Sequence, residues 1–202
     1  MKKSESRHTG VRIEVVTATF VASGQPEGIH DLGRFIDNLN NTQLSHHITL
    51  MAAAVRPLYR ATDQLHLDAP LLVKRDEIVF TNFEGPTFPQ DESPALQIEA
   101  PVLLLAPPFQ IQGTVAFAPG SDPALALRSV VGGFFVVRKA SVFDADGNSL
   151  GEGEQIIVNG AAVQMTAATR RHIDVAPPLP SSEAAATAAA DVEDDEPARR
   201  AA

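Results

Sequence analysis

The 202-residue chain contains two stretches that read alike, and this repetition constrains its fold more than any other feature. Phe20 and Gly24 correspond to Phe109 and Gly113 at an offset of 89 residues. Ile48, Leu50, Ala53 and Val55 correspond to Phe135, Val137, Ala140 and Val142 at an offset of 87. Leu72, Val73, Ile78 and Thr81 correspond to Ile157, Val158, Val163 and Thr166 at an offset of 85. Changes in loop length produce so small a drift, and the pattern reads as a duplicated β-β-α-β-β unit. Each unit of about 75 residues would struggle to bury its sheet alone, so the two are expected to share apolar surface.

The periodicities fill in the unit. Val11 to Ser23 is dense in Val, Ile, Thr and Phe, as strands are, with Gly24, Pro26 and Gly28 read as turn residues after it. Leu32, Phe35, Ile36 and Leu39 fall at the i, i+3, i+4, i+7 spacing of a one-sided helix, which Asn40 and Asn41 can end. Ile48, Leu50 and Ala52 alternate along a further strand that reaches Val55 before Pro57. Leu71–Val73, Lys74–Glu77 and Ile78–Phe80 read as a hairpin. In the second half Val102 to Phe117 is β-like, with Pro107-Pro108 marking a bend or an edge, because proline cannot donate to a ladder. Asp122 and Pro123 open a helix continued by Leu127, Val130 and Val131. Phe134 to Phe143 is a strand, 144–148 a turn, and Ile156–Val158, Asn159-Gly160 and Val163–Met165 a closing hairpin.

The expected organisation is a flexible start (1–10), a first unit (11–83), a Pro-rich linker (84–97), a second unit (98–174) and a tail (175–202). The fold class is mainly β (α+β), with the units packed as one pseudo-twofold β-sandwich or barrel-like body. The tail holds ten Ala, four Pro and no aromatic residue, with acids clustered at 191–196, so it is expected to be disordered. Net charge is −9, from 16 basic and 25 acidic residues, and −7 of it belongs to residues 11–174. Such a balance argues against nucleic acid or anionic membrane as a partner. The start lacks the apolar run of a secretory signal, and no stretch approaches the length of a membrane span, so a cytoplasmic location is expected.

Arg34-Phe35-Ile36-Asp37-Asn38-Leu39-Asn40, followed by Leu44 and the Ile48–Val55 strand, resembles a bacterial family of uncharacterised small domains. In that family two strands lead to an Arg-Leu-Ser-Asp-Phe-Leu-Asn-like helix and then to a strand hairpin. Arg34, Asp37, Leu39 and Asn40 match, whereas Ile36 and Asn38 stand where the family has Ser and Phe. The second half keeps the layout but carries Arg128-Ser129-Val130-Val131 in place of the polar signature. The resemblance implies a fold and a bacterial origin, and no activity.

Chemical motifs are sparse. Absence of Cys removes disulfides, thiolate zinc sites and cysteine nucleophiles together. His46 and His47 are neighbours, which a strand points to opposite faces, and His8, His30, His66 and His172 are scattered, so no metal site is expected. Asp144, Asp146, Asn148, Glu152 and Glu154 gather oxygens that calcium could use, but the spacing is not that of an EF-hand and a solvated turn is the plainer reading. Gly132-Gly133 and Gly151-x-Gly153 lack the context of a phosphate loop, and Ser23 and Ser129 lack a nucleophile elbow. Arg34, Asp37 and Asn40 form the one polar cluster singled out; near a helix end their expected role is capping, Asn tolerating the left-handed conformation of a helix stop. No catalytic, cofactor or metal residue is assigned. The expected function is a non-catalytic protein-binding or assembly module, with a protein partner or self-association through exposed edges such as Leu71–Val73 and Ile156–Val158. The alternative is a small-ligand sensor with a pocket between the units.

Overall fold

A computed structural model describes residues 10–41, 43, 46–60, 62–85, 97–130 and 132–168. The 175–202 tail and most of the expected start and linker lie outside the described residues. The first half runs β1 (Arg12–Thr17), β2 (Phe20–Pro26), α1 (Leu32–Asn40), β3 (His47–Pro57), β4 (Leu65–His66), β5 (Leu71–Lys74) and β6 (Ile78–Glu84). The second runs β7 (Ile98–Ala106), β8 (Phe109–Phe117), α2 (Pro123–Val130), β9 (Phe134–Phe143), β10 (Ser149–Asn159) and β11 (Met165–Ala168). The protein is mainly β, as expected. Its strands form one antiparallel sheet, ordered β11-β7-β8-β9-β10-β6-β1-β2-β3-β4, with β5 beside β4 on the same flank of β3.

Strand order within the halves is the same: β6-β1-β2-β3-β5 and β11-β7-β8-β9-β10. The two expected hairpins are corrected. β5 pairs β3 while β6 pairs β1, and the 3-10 turn Arg75–Glu77 carries the chain from one to the other. Because β1 and β3 both run antiparallel to β2, β5 and β6 point the same way, so the chain continues forward and curls the half onto itself. Lys74-Arg75-Asp76-Glu77 contains no Gly or Asn to supply the positive φ of a tight reversal. Asn159-Gly160 does, but the Asn159 carboxamide oxygen instead accepts from the Ala161 N–H at 3.0 Å and starts a 3-10 turn, Gly160–Ala162. β10 therefore pairs β9, and β11 pairs β7.

Matched irregularities bend both halves. Ala52 in β3 and Lys139 in β9 each have φ 48°, and the alternation expected through Ala52 shifts there, exposing Met51 and Ala52 and burying Ala53. Opposite them, Gly24 and Gly113 lie within strands rather than after them. A Cβ on Gly24 would come within 2.9 Å of the Met51 carbonyl oxygen, and one on Gly113 within 2.7 Å of that of Arg138. Such close backbone approach admits only glycine.

Each helix covers the interior of its half. Asp31 caps α1 by accepting from the Arg34 N–H at 2.8 Å, and Leu32, Phe35 and Leu39 are buried. Asn41 ends the helix, as expected, but in extended backbone, φ −83°, so the stop does not use the left-handed conformation that Asn tolerates. The buried Arg75 guanidinium takes over that role, donating to the carbonyls of Leu39 and Asn41 at the helix's negative end. Asp122 caps α2 through the N–H groups of Ala124 and Leu125, and Leu127 is buried. Two apolar cores result, one around Phe35, Leu39 and Leu50, the other around Leu104, Ile111 and Val137. Full burial of each such side chain is worth about 1.5–3 kcal/mol.

Candidate functional site

The halves meet edge to edge. Ile156, Ile157 and Val158 of β10 stand opposite Asn82, Thr81 and Phe80 of β6. Ile157 is 1% exposed and Thr81 0%, and the Phe80 ring meets Phe109 edge-on at 5.2 Å. Ile156–Val158, expected to be open, is thus buried in this joint. The Asn159 amide donates to the Ile78 carbonyl at 2.8 Å beside it. At the helix side, Asn40 clasps Phe134 across the halves, its Nδ2 donating to the Phe134 carbonyl at 2.9 Å and its Oδ1 accepting from the Phe134 N–H at 2.7 Å.

Among the described residues the two strands that end this order have no such neighbour: β5 pairs β3 alone and β11 pairs β7 alone, and Leu72 is 62% and Met165 64% exposed. Leu71–Val73 thus forms an edge, as the sequence suggests. β11 was not singled out in the sequence, although its alignment with β6 was the available signal. Among their eight side chains only Lys74 is ionic, and it sits 3.8 Å from Glu77 and 3.9 Å from Asp76.

A cleft of about 190 Å³ lies at the joint, lined by Val21, Phe80, Phe109 and Leu150, with Glu14 and Arg56 among its polar residues. Arg56 Nη2 is 3.9 Å from Glu14 Oε2, and Asn82 Nδ2 donates to Glu14 Oε1 at 3.1 Å. The polar groups on this wall thus pair with one another.

The sequence-chosen cluster does not converge on a pocket. Arg34 is exposed and 3.8 Å from Asp31, Asp37 is exposed on the same helix, and Asn40 is engaged with Phe134. The N-cap is Asp31, outside that cluster. In the 144–148 turn Asp144 accepts from the N–H groups of Asp146 and Asn148 and from the Asn148 carboxamide, all at 2.8–2.9 Å. The Asn148 side-chain hydrogen bond leads the effects that hold the Asp144 carboxyl below the usual carboxylate range, with backbone donors adding to it. Among the described residues no group of three or more His, Asp or Glu is placed to hold a metal, and no helix is long and apolar enough to cross a membrane.

Comparison with protein-family models, curated proteins and solved structures finds no match to this chain.

Proposed function

We propose that the chain is a non-catalytic protein-binding or assembly module, built from a duplicated unit, that engages protein by strand addition at its two open edges. One observation carries this reading: among the described residues no strand pairs the outer edges of β5 and β11, where Leu72 and Met165 are exposed, whereas their counterparts β10 and β6 pair with each other. An unpaired edge is a template for another strand, and the one charge on these two, Lys74, is drawn toward Asp76 and Glu77. Shared strand order, the paired Ala52 and Lys139 bulges and the close-packed Gly24 and Gly113 support duplication. Leu72→Lys and Met165→Lys, both at exposed positions, are expected to abolish association with any protein partner while leaving the melting temperature of the isolated chain unchanged. Association unaffected by both substitutions, measured by light scattering and by capture from extract, would sink the reading.

The cleft at the joint favours a second reading, a small-ligand sensor. A thermal-shift screen separates the two: a ligand bound only by the folded state raises the melting temperature, whereas an assembly shows dependence on protein concentration.

A further inference from the structure

We propose that the partner of the open edges is a second copy of this chain, with β5 of one copy adding to β11 of the next in the register of the internal β10·β6 joint. The inference rests on the edge-docking reading above and supplies its partner.

The internal joint is head-to-tail: β10, the last strand in the second half's order, meets β6, the first strand in the first half's. A joint of that kind consumes one edge of each half and leaves the complementary pair free, here β5 and β11. Two different but complementary surfaces on one molecule make a heterologous contact, which each added copy regenerates until a ring closes. The 85-residue offset supplies the register. Ile156 opposite Asn82, Ile157 opposite Thr81 and Val158 opposite Phe80 become Leu71 opposite Ala167, Leu72 opposite Thr166 and Val73 opposite Met165.

Burial follows the same correspondence. Ile157 is 1% exposed and its counterpart Leu72 is 62%; Thr81 is 0% exposed, and its counterpart Thr166 is exposed. Ile157 is buried because the joint carries it into the first half's core, beside Ile13, Phe35 and Ile78, and among the described residues Leu72 meets no such core. β4 does not block the edge, because it pairs β3 at Ala54 and Val55, away from the His47–Leu50 stretch that holds β5.

The chain has no Cys, so introduced thiols report one contact at a time. Residues directly opposite in an antiparallel pair lie about 4.5–5.5 Å apart at Cα, within the span of a disulfide. Leu72→Cys and Thr166→Cys are placed on two separately tagged copies of the full chain, mixed and oxidised. The expected product is the mixed dimer, reversed by reductant and lost when Ala168→Cys replaces Thr166→Cys. A double Leu72→Cys/Thr166→Cys chain is then expected to form a ladder. Failure of the mixed dimer to form overturns the proposal, as does a double variant that closes only within one chain, or crosslinking only between two Leu72→Cys copies. If no mixed dimer forms but Leu72→Lys still abolishes capture of another protein, self-assembly fails and edge docking stands. If neither the crosslink nor the lysine effect is seen, both fail.

Discussion

Asn40 shows how a short polar side chain can hold two halves of a protein together. Its carboxamide satisfies both backbone groups of Phe134, and a Cβ added to neighbouring Gly133 would come within 2.6 Å of its Oδ1. Asn40→Ala is expected to destabilise the protein by about 1–3 kcal/mol in urea unfolding, the sum of two ordinary hydrogen bonds. Thr81 presents the opposite situation, with a buried hydroxyl that has no hydrogen-bond partner among the described residues. Thr81→Val is expected to leave stability unchanged or raise it by up to about 1–3 kcal/mol, because an unsatisfied buried polar group carries that cost. A loss of stability in the same urea titration would contradict this. Asp144 is held low by Asn148, so Asn148→Ala should raise its pKa toward the ordinary carboxylate value in an NMR titration. Because the folded-state value is depressed, the contribution of this turn is present above the unfolded-state pKa and disappears as pH falls through the folded one. The sequence marked Asn40 as a capping residue. Its actual partner, 94 positions away, depends on the joint and has no local signal.

The helices and long strands were legible because their signals are local: the apolar spacing of α1, the Asp122-Pro123 start of α2, and the β-rich runs on either side of Pro107-Pro108. The segments after β5 and β10 were misread because three-residue 3-10 turns look like hairpin turns in sequence, and only the sheet reveals whether the chain reverses. The bulges were missed for a related reason: Ala52 and Lys139 are not residue types that announce positive φ. Their partner glycines carry the prediction. At Gly113 a Cβ would lie 2.5 Å from Val137 Cγ1 and 2.7 Å from the Arg138 carbonyl, so Gly113→Ala is expected to destabilise the second half by about 1–3 kcal/mol. Thermal unfolding of the variant checks this, and an unchanged midpoint would mean that the bulge can relax. Arg75 belongs here too, since its turn connects the two strands and its guanidinium closes α1. Arg75→Leu leaves the Leu39 and Asn41 carbonyls without these donors and is expected to cost about 1.5–3 kcal/mol, the range for hydrogen bonds to a charged group.

Positions aligned between the halves in sequence fall at like places in the sheet, in strand order and at the positive-φ residues Ala52 and Lys139, while Ile157 is buried and Leu72 exposed. How the halves join was not legible. Leu71–Val73 and Ile156–Val158 are equally aliphatic, and only the topology distinguishes the edge from the joint. On our account the chain is two links of a longer head-to-tail series, with one link made internally and the next offered at β5 and β11. The most direct measurement is the solution mass of the full chain by light scattering across a concentration series, beside Leu72→Lys. The account predicts masses at multiples of 21.5 kDa that grow with concentration, and a uniform 21.5 kDa for the lysine variant. A wild-type chain that remains at 21.5 kDa throughout would contradict it.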